Sequence, residues 1–543
     1  MKTTLSILAA LAFSLLSATA QTIDTKSKKS LPLPHTWSVG TCAGRVNEGL
    51  RTSWVEQLQM SKKACGFQYL RMHDLFNDDM NIYFDKGNGR VVYNWQYVDE
   101  VYDRMLDIGV RPFVELSFFP KGIDKDGGKL QMWYRNRVTY DEQKMPKWSA
   151  LIKAFCQHVI ERYGLDEVRQ WYFEVWNEPN LDFGFFDGTK SQYFNLYKVT
   201  AEAVKSVDPQ LRVGGPATSN FIADARHDGE RTDNSRSVFY PQTEINKQQW
   251  KGVWIEEFLD YCAKNNVAVD FISCHAYPTD YALDPETKRG KDAIRYVHSL
   301  RDDLQWARNI IKQSAYPEAE LHITEWSTSP NSRDRMHDLL PPAAYIVKAN
   351  LENIGAANSI MYWTFTDIFE EKGGGEEIFH GGFGMINFQG IPKPSFHAYR
   401  MLNQLGDEQL YNQDPLVVSR CSKSGYVSAL AYNYPDEYEM MVPSVRNCNN
   451  YMEASAKEVN FTLKGLQPGQ VFILETLDKE HGNAFDAWQQ MGSPHSPTRE
   501  QTAELKVAGW GTKVETMRAD SRGRLTVKRT LQPWTCLLIT EKH

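Results

Sequence analysis

The 543 residues contain eight cysteines, and no two of them are closely spaced. A zinc ribbon or a thioredoxin-like site needs close cysteine pairs, so both are excluded. There is no His-Glu-x-x-His run and no His-x-His cluster at the end of a predicted strand, which disfavours a metallohydrolase. A Gly-x-Ser-x-Gly elbow is also missing, and with it the usual α/β serine hydrolase. No charge of one sign dominates: 61 basic residues face 68 acidic ones, a net charge of −7. That balance argues against nucleic acid or an anionic membrane as the main partner. Beyond the first twenty residues, no apolar run reaches the ~20 residues of a spanning helix.

The first twenty residues have their own pattern. Lys2 precedes an apolar run, Leu5 to Leu16, and Ser17-Ala18-Thr19-Ala20 supplies small residues ahead of Gln21. This reads as a cleavable secretory signal over residues 1–20. No cysteine follows the run, so a lipid anchor is not expected. The mature protein is expected to be secreted or periplasmic, with no membrane insertion after cleavage. Disulfides are permitted there, and Cys421 with Cys448 is the best-placed pair. Several other cysteines lie in apolar segments and read as buried thiols.

Aromatic residues are plentiful at 12%, with 15 Trp. Most belong in a large core, yet aromatic faces also carry the C–H surfaces of sugars. From residue 37 to 404, short apolar runs alternate with amphipathic ones. Eight runs read as strands: Trp37–Ala43, Phe67–Met72, Val110–Leu116, Gln170–Trp176, Leu211–Gly215, Val269–His275, Glu320–Glu325 and Ser359–Trp363. Helical patterns between them include Trp54–Cys65, Gln96–Ile108, Trp148–Tyr163, Tyr193–Ser206, Trp254–Lys264, Ala293–Ser314 and Ala343–Asn353. Eight such units predict an α/β fold, a closed (β/α)8 TIM barrel. An open doubly wound sheet would show a glycine-rich phosphate turn after its first strand. Here that strand runs into Cys42-Ala43-Gly44-Arg45. Residues 405–543 show short strands with little helical periodicity, which predicts a C-terminal antiparallel β-sandwich. Residues 21–36 are a linker or an edge strand of that sandwich. Long loops at 120–146, 217–249 and 326–340 follow barrel strands, at the end where barrel active sites sit.

Two strands end in glutamate. The fourth runs Trp171 to Trp176 and closes in Asn177-Glu178-Pro179, where Pro179 halts the ladder. The seventh ends in Thr324-Glu325-Trp326. Carboxylates at the ends of strands four and seven face each other across a barrel mouth. Retaining glycoside hydrolysis needs such a pair about 5–5.5 Å apart, one to protonate the leaving oxygen and one to attack the anomeric carbon. Each glutamate alone also fits a capping residue at a turn; the pair points to a retaining glycosidase.

Six segments then carry a resemblance. They are Arg71 to Met80, Asn177-Glu178-Pro179, Gly214 to Ala217, Cys274-His275-Ala276-Tyr277-Pro278, Thr324-Glu325-Trp326, and Tyr362 to Glu371 followed by Phe379 to Gly384. In this order they resemble glycoside hydrolase family 39. The last segment is more similar to its β-xylosidase branch than to its α-L-iduronidases. The resemblance implies Glu178 as acid/base, Glu325 as nucleophile, and Asn177 on the sugar 2-hydroxyl. It implies Tyr277 on the nucleophile with His275 along the same wall, His73 on a sugar hydroxyl, and Arg71 beneath the carboxylates. Trp363 would be the platform under the ring, with Glu370 and Glu371 reaching sugar hydroxyls. No cofactor and no metal are implied.

One position departs from the pattern: the xylosidases usually have glycine after the strand-two histidine, and here it is Asp74. A carboxylate there binds an extra hydroxyl or blocks one, and it repels a uronate. The expected function is a secreted retaining exo-glycosidase on an oligosaccharide or glycoside, β-D-xylosidase by preference. The alternatives are a relative acting on another sugar (β-glucosidase, β-galactosidase, arabinosidase or endo-glycosidase) and a non-catalytic glycan-binding barrel. Oligomeric state stays open, a homo-oligomer included.

Overall fold

A computed structural model describes residues 21–542, apart from 125–128, 132–133, 182–183, 220, 222–229, 231–241, 248–249, 284–289, 371–372 and 445–449. The eight predicted strands are present: β1 (Gly40–Arg45), β2 (Tyr69–His73), β3 (Arg111–Leu116), β4 (Tyr172–Val175), β5 (Arg212–Thr218), β6 (Phe271–His275), β7 (Glu320–Trp326) and β8 (Ser359–Tyr362). They pair in parallel and close into one barrel. The helices between them are α1 (Thr52–Cys65), α2 (Gln96–Ile108), α3 (Met145–Tyr163), α4 (Lys190–Val207), α5 (Ile255–Lys264), α6 (Ser299–Gln313) and α7 (Pro341–Glu352), and α8 (Pro394–Leu402) follows β8.

The helices form where the pattern allows. In α4, Val204, Ala201, Thr200, Tyr197 and Tyr193 are buried, so one face packs inward. Thr189 caps it in a reciprocal box with Gln192. Gly66 and Gly109 end α1 and α2 in left-handed conformation. The barrel lumen is filled by side chains. Phe113 stacks on Tyr172 at 4.8 Å, and Phe271 meets both edge-on. Gly214 is required in this layer, since a Cβ there would meet the Phe271 carbonyl at 2.2 Å.

Two expectations need correction. The helix predicted from Ala293 begins only at Ser299, and Gly290–Ile294 instead pairs antiparallel with Thr279–Leu283. The backbone explains the late start. The Tyr296 amide donates to Asn246 Oδ1 and that of Val297 to the Glu439 carbonyl, so neither serves a helix. The C-terminal region also carries two helices, Ala484–Gln490 and Arg499–Trp510, where little helical signal was read. The second buries only Leu505 and Gly509, too little for a clear apolar stripe.

The sandwich is otherwise as predicted, save that the edge strand Gln21–Asp24 runs parallel to its neighbour. Its larger sheet has seven strands and its smaller one three, and Phe461, Val527, Val418, Leu474 and Ile539 fill the space between them. Gln21–Asp24 pairs with Lys457–Lys464 at the edge of the small sheet, and Leu31–Pro32 with Glu408–Gln413 at the edge of the large one. The segment 21–36 therefore adds an edge strand to each sheet. Residues 1–20 and Cys448 lie outside the described residues, as does most of the loop 217–249. The cysteines described elsewhere in the barrel and sandwich are free, and all but Cys421 are buried. Among the described residues no helix is long and apolar enough to cross a membrane.

Candidate active site

The C-terminal ends of the barrel strands are irregular. Pairing shifts register between Cys42 and Arg45 on β1, between Pro216 and Thr218 on β5, and between Cys274 and His275 on β6. A bulge re-aims the side chain beside it. The β6 shift sets His275 opposite Glu325. After β4 the chain leaves strand geometry at Trp176 (φ 76°) and Glu178 (φ 42°), and Ala217, at the bulge near the end of β5, is left-handed too (φ 53°). The Glu178 amide donates to the Ala217 carbonyl at 2.9 Å, joining the two turns. Left-handed non-glycine residues cost about 1–2 kcal/mol each, and such strain gathers at functional sites. A buried aromatic cage of Phe118, Phe119, Trp148 and Phe186 around the Trp176 ring holds the turn.

Glu178 and Glu325 meet over His275. One oxygen of each carboxylate and one ring nitrogen lie within 4.8 Å of one another. His275 Nδ1 is 2.8 Å from Glu178 Oε1 and 3.4 Å from Glu325 Oε2. The Tyr277 hydroxyl donates to Glu325 Oε2 at 2.9 Å. From below, Arg71 Nη1 donates to Glu325 Oε1 and Nη2 to Asn177 Oδ1, both at 2.9 Å. His73 Nε2 is 3.6 Å from Glu325 Oε1, and its ring centroid is 4.6 Å from that of Trp363. The structure thus brings Arg71, His73, Asn177, Glu178, His275, Tyr277, Glu325 and Trp363 together. Glu370 makes none of these contacts; its carboxylate is engaged by Arg45 and Arg51. Glu371 lies outside the described residues.

The two carboxyls are held differently. Burial pushes Glu178 up to about 7, against opposing pulls from Ser219, His73 and Arg71. Burial also raises Glu325, with the Glu178 charge adding, while His275, Arg71 and His73 pull the other way. Burial lowers both histidines to about 4, so each is neutral at pH 7. Arg71 is then the permanent positive charge beneath the pair. The Asn177 amide nitrogen and His275 Nε2 are buried without a hydrogen-bond partner. Buried polar groups are rarely left so, and the Asn177 donor sits beside the carboxylates.

Two residues of this layer are invisible in the motif reading. Glu174 accepts from Arg71 Nε and from Thr324 Oγ1. Glu115 lies 2.8 Å from Arg71 Nη2 and 2.6 Å from His73 Nδ1. Burial works to raise both. Arg71 and His275 outweigh it at Glu174, which is held below its usual value, whereas Glu115 reaches about 8. Glu115 and Glu174 are register partners on β3 and β4. The available signal was a carboxylate inside each of two adjacent apolar strands. Among the described residues, the grouping with donor atoms close enough for a metal ion is Glu178, His275 and Glu325. Arg71 on Glu325 opposes a cation there.

A parallel barrel with a buried carboxylate pair at the ends of β4 and β7 defines a retaining glycoside hydrolase. The chain matches the model "Glycosyl hydrolases family 39" over residues 22–228 and 248–526. It is 36% identical to a β-xylosidase of Caldicellulosiruptor saccharolyticus over 86% of each chain. Its fold is similar to the crystal structure of a monomeric β-xylosidase from Caulobacter crescentus CB15, with TM-score 0.80, 30% identity, and coverage of 96% of this chain and 99% of that one. Similarity to the mouse α-L-iduronidase is lower, 23% identity over 90% of this chain and 74% of that protein. The chain belongs to glycosyl hydrolase family 39.

Proposed function

We propose that the protein is an exo-acting β-D-xylosidase in which Glu178 is the acid/base and Glu325 the nucleophile. The observation that carries the roles is the carboxylate pair within 4.8 Å on His275, with burial pushing Glu178 up to about 7 and Arg71 donating to Glu325. Glu325 attacks the anomeric carbon while Glu178 gives its proton to the glycosidic oxygen. The aglycone leaves, and the sugar is held as an ester on Glu325. Loss of the Glu325 charge lowers the pKa of Glu178, which then takes a proton from water. Attack by that water frees the sugar with its configuration retained. The Asn177 amide donates to the 2-hydroxyl, a contact that strengthens in the transition state.

The sugar is argued from likeness and charge. Relatives named β-xylosidase match most of the chain at 35–36% identity. Asp74, Asp79 and Glu370 all engage Arg45, which commits that guanidinium to the protein's own carboxylates and not to a uronate. A panel of p-nitrophenyl glycosides tests the choice. The β-D-xyloside should be turned over with the highest kcat/KM; a β-glucoside, β-galactoside or α-L-arabinoside in first place overturns it. Residues 1–20 support export, as a signal removed before Gln21. Mass spectrometry of the exported enzyme should find Gln21 or its cyclised form as the first residue; retention of Met1 in the mature enzyme argues against cleavage.

A further inference from the structure

Asp74 stands directly after His73 with φ 67°. This is the left-handed region, where glycine is at ease and aspartate is among the few others tolerated. The side chain is fully buried. Its Oδ2 accepts from Arg45 Nε at 3.1 Å and from Asn77 Nδ2 at 2.7 Å, and its amide donates to Ser117 Oγ at 3.2 Å. Its Oδ1 is buried without a hydrogen bond. A strained backbone and an unsatisfied buried oxygen both disfavour this residue. Glycine would remove both penalties.

Its neighbours show what the carboxylate supplies. Arg45, itself buried, donates Nη1 to Glu370 Oε2 at 2.8 Å and Nη2 to Asp79. Arg51 donates to the other oxygen of Glu370. Glu48 Oε1 accepts the Glu370 amide at 2.8 Å. The loops after β1, β2 and β8 therefore converge on one side chain. The residue before it, Phe369, meets Trp363 edge-on at 5.8 Å, and Trp363 borders His73. Phe369, beside Glu370, is thus two ring contacts from the group beside the nucleophile, and Arg45 and Arg51 together set the direction of the Glu370 carboxylate.

We propose that Asp74 is a specificity-determining residue that acts through Arg45, fixing the Glu370 carboxylate as one wall of the terminal-sugar pocket. Asp74 is a positioning residue: it holds a guanidinium, the guanidinium holds the glutamate, and the glutamate accepts hydrogen bonds from sugar hydroxyls. The inference rests on the glycosidase reading given under Proposed function.

A double-mutant cycle tests it on the same glycoside panel, with Asp74→Gly, Asp74→Asn, Glu370→Gln and the pair Asp74→Gly/Glu370→Gln. Asp74→Gly suits the backbone, so it should fold. It should lower kcat/KM for the preferred pentoside about tenfold and shift the pentoside-to-hexoside ratio by more than about threefold. In the Glu370→Gln background it should add little, because coupled residues are not additive. Asp74→Asn still accepts from Arg45 and should retain most of the selectivity. An unchanged ratio in Asp74→Gly, or losses that add in full, overturn the inference. A wild type inactive on every glycoside sinks the functional reading instead, so the two failures are distinct. If Asp74→Gly does not fold, Asp74→Ser carries the same comparison.

Discussion

Glu325→Gly should turn over β-glycosides on the order of 10⁴-fold more slowly than the wild type or worse, as expected when a member of a nucleophilic unit is removed. That is about 5 kcal/mol of transition-state stabilisation. The side chain leaves a space on the face of the sugar opposite Glu178. Azide can enter there and attack the anomeric carbon directly, with Glu178 still protonating the leaving group. The product should be the glycosyl azide of inverted configuration, detected by proton NMR. Azide product of retained configuration from this variant would reverse the roles of Glu178 and Glu325. A folding control is needed, because the substitution takes a partner from Arg71 and from the Tyr277 hydroxyl. Arg71 keeps Glu115, Glu174 and Asn177, so the melting temperature should fall far less than activity does.

Glu178→Ala has the second-largest expected effect, and it depends on the substrate. General acid catalysis contributes ~10²–10⁴-fold. Substrates with poor leaving groups should lose that factor in their first step, whereas a dinitrophenyl glycoside needs little protonation and should lose far less. Equal losses on both would remove Glu178 from the acid role. Azide should now attack the ester on Glu325 and give the retained glycosyl azide. The pH profile supplies a second readout. Glu178 must be protonated to act, and burial sets its value at about 7. Activity measured as kcat/KM should therefore fall as pH rises through about 7 in the wild type. With the dinitrophenyl substrate, Glu178→Ala should lack that basic limb. A limb that persists unchanged in the variant belongs to another group.

The eight barrel strands and seven of the helices were legible because their patterns are strong and regular. An apolar run buried on both faces has few readings once an amphipathic helix follows it. Glu178 and Glu325 were legible as a pair: one carboxylate ending an apolar strand reads as a turn cap, but two at the ends of strands four and seven face each other across the barrel mouth. Glu115 and Glu174 were not, although each lies inside such a strand. Their meaning comes from register, since β3 and β4 set them side by side and β2 sets Arg71 across them. The role of Asp74 depends on φ, which no composition or spacing reveals. Arg45 and Glu48 are likewise defined by what comes back to meet them, more than 300 residues later, in the loop after β8. The short start of α6 was hidden because its preceding amides bond to residues far away in the chain.

The two edge strands near the N-terminus also bear on how the molecule is assembled. Gln21–Asp24 finds its partner in Lys457–Lys464, and that strand is in turn paired with Arg524–Leu531. Gln21–Asp24 therefore waits for a strand that lies beyond the whole barrel sequence. The barrel, whose neighbouring strands are mostly consecutive in the chain, can close on its own contacts. The sandwich cannot, because its small sheet joins Gln21–Asp24 to strands that lie on the far side of the barrel in sequence. Long-range pairing of this kind is slow to form, and an unpaired strand is open to other chains in the interval. A catalytic body built from sequence neighbours, tethered to a companion built from distant segments, would mature on two clocks, and a chaperone would find its work at the second.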